Sequence, residues 1–66
     1  MNARRRAVKE LISAGYVKKR NGANHDIFYH EKLRSAIPLK RHDFDEDDLR
    51  YIQKEIRQNK DRGGQS

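Results

Sequence analysis

The sequence predicts an α+β domain of order α-β-β-β-α, a three-stranded antiparallel sheet with two helices on one face. Three observations carry that expectation. Apolar residues recur at helical spacing up to Ala14, the period then falls to two through three short runs, and a second helical pattern opens at Glu46. The connections between the runs are short, which favours antiparallel neighbours, and two helices on one side of the sheet would bury both apolar stripes.

The first helix is expected over Ala3–Ala14. Val8, Leu11 and Ile12 form its apolar stripe, with Ala7 and Ala14 extending the same side. Asn2 is the N-cap and Gly15 the C-cap glycine. Arg4, Arg5, Arg6 and Lys9 crowd the first half, where positive charge opposes the helix dipole. That placement suggests side chains kept for solvent or a partner.

The runs YVKKR, DIFYH and RSAIPL read as strands. In the second, Ile27 and Tyr29 share one face, and Asp26, Phe28 and His30 the other. In the third, Ser35, Ile37 and Leu39 share a face. Asn21-Gly22 signals a turn, in a loop extending to Asn24, and His30-Glu31-Lys32 makes the second connection. Pro38 lacks an N–H for the ladder, so the third strand ends there or lies at an edge.

The second helix is expected from Glu46 to about Asn59, capped by Asp45 with Asp48 three residues on. Phe44 and Leu49 have staple spacing, and Leu49, Ile52 and Ile56 form the buried stripe. The domain is expected to span residues 1–60, with a frayed tail over 61–66. The acidic run DFDEDD lacks the glycine-centred spacing of a calcium loop. Carboxylates in a first helical turn are better explained as caps, so no metal and no cofactor is expected.

Composition narrows the function. A chain of 66 residues buries a modest core, and with no cysteine it has neither disulfides nor thiolate zinc sites to reinforce it. A compact core, a bound partner, or both must supply stability. No apolar run is long enough for a membrane span or a signal peptide, so the expected location is the cytoplasm. The net charge is +6. It is uneven, with eleven basic and three acidic residues over 1–42 and five basic and seven acidic over 43–66. A basic body in a small domain points to a polyanion, most often nucleic acid.

Of the three histidines, His30 reads as a solvated or packed side chain at a turn. His42, in the basic loop LKRHD, suits either phosphate contact or a structural role. His25 follows a glycine turn where loop becomes strand, and Lys18, Lys19, Arg20, Lys40 and Arg41 are its expected neighbours. Histidine exchanges protons near neutrality. On the residues alone, His25 is either catalytic or part of a basic hairpin that only binds.

Gly22-Ala23-Asn24-His25 followed by a short strand resembles the G-x-x-H signature of HicA toxins, the YcfA/HicA family of small mRNA interferases in type II toxin-antitoxin systems. The resemblance spans about residues 3–58. It takes in Ala14-Gly15-Tyr16 at the end of the first helix, Ala36-Ile37-Pro38 with the LKRH stretch, and the closing helix from Asp48-Leu49-Arg50 to Ile56. It implies a double-stranded-RNA-binding-domain-like fold and ribosome-independent RNA cleavage that inhibits translation. It also implies a catalytic His25 and a HicB antitoxin as partner. Many family members carry Ser or Thr after the motif glycine. Ala23 stands there in this chain and supplies no hydroxyl.

The expected chemistry is metal-independent. His25 would act as general base on the RNA 2′-OH, and lysines and arginines near the strand ends would stabilise the phosphorane-like charge. The products would be a 2′,3′-cyclic phosphate and a 5′-hydroxyl. The leaving-group acid is open among water, a protonated lysine and His42. RNA contacts are expected from Lys18, Lys19, Arg20, Lys40, Arg41 and His42, with Gly22 and Asn24 in the loop. Phe28 is expected in the core, while Tyr16 and Tyr29 are open between core and base stacking. The competing functions are a non-catalytic RNA-binding domain of the same fold, a winged-helix DNA-binding fragment, and a protein-interaction module. Against the winged helix, only one helix precedes the hairpin.

Overall fold

A computed structural model of the chain describes residues 2–21 and 24–63. Helix α1 (Ala3–Ser13) leads into strands β1 (Val17–Asn21), β2 (His25–His30) and β3 (Ser35–Lys40), and helix α2 (Glu46–Gly63) closes the chain. The strands form an antiparallel sheet in the order β1-β2-β3. The element order and fold class match the expectation.

The ends of α1 are set by local chemistry. Asn2 accepts a hydrogen bond from the Arg5 N–H on its side-chain oxygen at 3.1 Å, satisfying one orphan donor of the first turn. At the other end Gly15 takes φ +100°, a conformation that costs little without a Cβ. The Gly15 N–H donates to the Ile12 carbonyl at 3.0 Å and the Tyr16 N–H to the Leu11 carbonyl at 2.9 Å. This pair of bonds is the Schellman closure, with buried Leu11 and Tyr16 as its hydrophobic contact.

One part of the expected α1 stripe is overturned. Ala7 and Leu11 are buried, but Ile12 is 60% exposed. The face turned inward is the alanine face, with Ala3 and Ala14 packed at its margins. At 3.6 residues per turn Ile12 lies about 120° from the direction midway between Ala7 and Leu11. Small side chains on the inner face let the helix approach its neighbours closely. The larger Ile12 is left outside, with half-buried Val8 beside it.

Strand boundaries also shift slightly. Tyr16 precedes β1 and belongs to the helix closure. β2 starts one residue earlier than expected, at His25, because β3 runs on past Pro38 and pairs Lys40 with His25. Pro38 costs no ladder bond there, since β3 is an edge strand. Between Lys18 and Arg20 the β1–β2 register slips, leaving Lys19 as the extra residue of a bulge.

Partners across an antiparallel pair share a face. Phe28 pairs with Ile37 and Asp26 with Leu39, so these four face the helices, and all four are buried. The core joins them to Ala7, Leu11, Tyr16, Leu49 and Ile52, with Phe44 and Ile56 packed at the margin. Ile56 is thus only half-buried. The next inward position down α2 is Asn59, which is buried and donates from Nδ2 to the Tyr16 hydroxyl at 3.0 Å. The helix runs past its expected end, through Asp61 and Arg62 to Gly63, with Lys60 and Arg62 in its last turn, where cations favour the dipole.

The α2 N-terminus is capped reciprocally. The Asp48 N–H donates to Asp45 Oδ1 and the Asp45 N–H donates to Asp48 Oδ2, each at 3.1 Å. Asp48 also accepts from Lys40 Nζ at 3.3 Å, Asp47 pairs with Arg50, and Glu46 lies 3.9 Å from Arg6. The acidic run therefore caps the helix and pairs with cations.

Candidate active site

His25 is exposed at the first position of β2. Among the described residues its ring makes no hydrogen bond to the protein. Two adjoining depressions meet at it. One, of about 340 Å³, is lined by Asn24, His25, Lys40, His42 and Asp43. The other, of about 200 Å³, runs over the β3 edge to α2 and is lined by His25, Pro38, Lys40, Phe44, Asp48, Tyr51 and Ile52.

The loop after β3 is tied to the start of β2. The Arg41 N–H donates to the Asn24 carbonyl at 3.1 Å, and Lys40 Nζ donates to the Asp43 carbonyl at 3.2 Å. Asp43 sits in the left-handed region at φ 56°, a costly conformation for a residue with a side chain. These constraints hold His42 in the depression that His25 borders.

Behind His25 lies an ion cluster. The Asp26 side chain turns inward and is 9% exposed. Its Oδ2 is 2.7 Å from Arg4 Nη2, its Oδ1 2.9 Å from Arg41 Nε, and Lys18 Nζ lies 4.0 Å from Oδ2. Arg4 Nε also donates to the Lys40 carbonyl at 2.7 Å, so α1 is riveted to the ends of both β2 and β3. Burial pushes the Asp26 carboxyl up. The hydrogen bonds from Arg41 and Arg4, with the charges of Arg41 and Lys18, outweigh burial and hold it below the ordinary aspartate range. The carboxylate stays ionised at neutral pH and fixes the backbone that carries His25.

The sequence-predicted site residues therefore divide. Asn24, His25, Lys40 and His42 come together. Lys19 and Arg20 lie on the sheet face away from the helices, the same face as His25. Lys18 pairs with Phe28 in register and points to Asp26 on the helix side. Arg41 is turned to Asp26 rather than outward, and Arg4, expected to serve solvent or a partner, binds the same carboxylate. Gly22 lies outside the described residues, as does Ala23. Phe44 and Tyr51 join the site without having been anticipated. Tyr51 is 59% exposed, and its only signal in the sequence is an aromatic ring lying off the Leu49–Ile52–Ile56 stripe.

His30 occupies another environment. Its Nδ1 accepts from the Leu33 N–H at 3.2 Å, and its ring meets Tyr16 edge-on at 5.1 Å between centroids. It borders a cavity of about 380 Å³ with Ser13, Leu33 and Lys60. The ring is committed to closing the turn and packing on Tyr16, as a packed histidine does. His25 and His42, both exposed and lining one depression, are the histidines left available for chemistry.

No helix among the described residues is long and apolar enough to cross a membrane. Comparison with protein-family models, with curated proteins and with solved structures finds no match to this chain.

Proposed function

We propose that the chain is a ribonuclease of the HicA toxin type, an mRNA interferase that cuts RNA without the ribosome and so inhibits translation. In this reading the fold is double-stranded-RNA-binding-domain-like, the protein works in the cytoplasm, and a HicB antitoxin neutralises it. The observation that carries the reading is the setting of His25. It is exposed, its ring makes no hydrogen bond among the described residues, and it borders a cavity that also holds Lys40 and His42. It is anchored through Asp26 on the opposite side of the strand. A proton-transfer group needs that combination of access and fixed position.

The reaction uses the substrate's own nucleophile. A His25 ring nitrogen takes the proton of the 2′-OH, and the oxygen attacks the adjacent phosphorus. The bond from phosphorus to the 5′-oxygen breaks, and that oxygen takes a proton from His42. A 2′,3′-cyclic phosphate and a 5′-hydroxyl result. Lys40 Nζ, held beside the cavity by Asp48 and the Asp43 carbonyl, offsets the charge that develops on the phosphoryl oxygens. An acidic antitoxin bound over this basic surface would also stabilise so small a domain by mass action.

The test is single-turnover cleavage of a labelled single-stranded RNA in excess EDTA, wild type beside His25→Ala. Wild type should cut, and the variant should lose about 10²- to 10⁴-fold in rate while binding RNA alike. RNA methylated at the 2′-oxygen of the scissile nucleotide should remain intact. If both proteins bind and neither cuts, the domain is a non-catalytic RNA binder.

A further inference from the structure

The sheet face turned away from the helices has a composition unlike the rest of the surface. By register it carries Val17 opposite Tyr29, Tyr29 opposite Ala36, and Ile27 between Arg20 and Pro38. Val17 is 55% exposed, Ala36 and Pro38 are exposed, and Tyr29 and Ile27 are half-buried. Lys19 alternates onto this face with its Nζ 5.8 Å from the Tyr29 ring centroid, and the bulge brings Arg20 onto it as well. The only carboxylate within the strands is Asp26, and it points to the helices. The face is therefore apolar at its centre, cationic along β1 and without strand carboxylates. His25 stands at one end of it, because His25, Ile27 and Tyr29 alternate onto the same side of β2.

We infer that this open face is a binding platform for single-stranded RNA, on which Tyr29 stacks a base while Lys19 and Arg20 hold the adjoining phosphates. The choice of RNA rests on the ribonuclease reading. The face itself calls for a polyanion with exposed flat rings, since an aromatic ring flanked by cations and free of carboxylates matches a strand of unstacked bases. The spacing fits. From His25 to Tyr29 is four residues of strand, about 13 Å, a span of roughly two extended nucleotides on such a platform. A base on Tyr29 thus places the scissile phosphate at His25 and sets the register of cleavage. A regular duplex keeps its bases stacked inside and has none to offer Tyr29.

The test measures binding apart from cleavage. The full chain carrying His25→Ala is titrated into a short single-stranded RNA with 2-aminopurine at successive positions. A parallel cleavage assay uses the wild-type chain. Tyr29→Leu should weaken binding about five- to a hundredfold and abolish the 2-aminopurine quenching, with Tyr29→Phe within about twofold of the parent. Lys19→Gln changes an exposed side chain and leaves the core untouched. It should weaken binding severalfold and reduce the salt slope by about one. Melting curves identify any variant that has lost its fold, and for such a variant Lys19→Gln and the quenching in the parent decide. Equal binding by the folded variants, or no quenching in the parent, overturns the platform even if the wild type cuts RNA. Tyr29-dependent binding without wild-type cleavage upholds the platform and overturns the ribonuclease reading. No RNA binding at all overturns both.

Discussion

Replacing Asp26 with alanine should be the most damaging single change outside the apolar core. The carboxylate is 9% exposed and lies within 2.9 Å of two guanidinium groups. Its removal leaves Arg4, Arg41 and Lys18 converging on an uncompensated point. Breaking a fully buried pair costs about 3–5 kcal/mol. The Arg4 and Arg41 side chains are 27% and 34% exposed, so water screens part of that loss. A cost of about 2–3 kcal/mol follows, which in a domain this small lowers the melting temperature by roughly 10–20 °C. Urea and thermal unfolding followed by far-ultraviolet circular dichroism would measure it. The cluster also gives the loss a pH signature. The folded Asp26 carboxyl is held below its ordinary range, so its stabilisation is complete above the unfolded-state value and is lost as pH falls through the lower folded value. The gap between wild type and Asp26→Ala should be constant near neutrality and close in acid. A destabilisation below about 0.5 kcal/mol, the scale of an ordinary surface substitution, would refute the reasoning. So would a gap that widens in acid.

Three further outcomes follow from the same geometry. If His42 protonates the leaving oxygen, His42→Ala should cut ordinary RNA about 10²-fold or more slowly. An RNA with sulfur in place of the scissile 5′-oxygen, a leaving group needing no proton, should restore the rate for His42→Ala but not for His25→Ala. Gly15→Ala should destabilise by about 2 kcal/mol in urea melts, since the residue holds φ +100° and a Cβ would come within 2.8 Å of His30 Nε2. Tyr16→Phe should cost about 1 kcal/mol, because Asn59 Nδ2 loses its buried acceptor, and Asn59→Leu in the same background should recover part of the loss.

The sequence by itself determined the element order, the helix caps and the strand periods. These depend on neighbours a few residues apart, such as Asn2 with Arg5, Gly15 with Ile12, or Asp45 with Asp48, and each of these short-range bonds forms. Of the site residues expected alongside His25, Asn24, Lys40 and His42 line one depression with it, because antiparallel pairing of β2 with β3 brings those two strand ends together. Only the tertiary structure decided which surfaces those elements present. Ile12 reads as core and lies outside, because the face of α1 turned inward is the small-residue face that lies close against α2. Tyr16 and Tyr29 are equivalent as letters, yet one is buried against Asn59 across 43 positions of sequence and the other stands on the open face. A one-residue bulge after Lys18 puts Lys19 and Arg20 on the same side of the sheet, where strict alternation would have turned Arg20 to the helices. Arg4 and Arg41 read as free cations until the fold brings a buried carboxylate between them, and no local pattern carries contacts made across the packed interior.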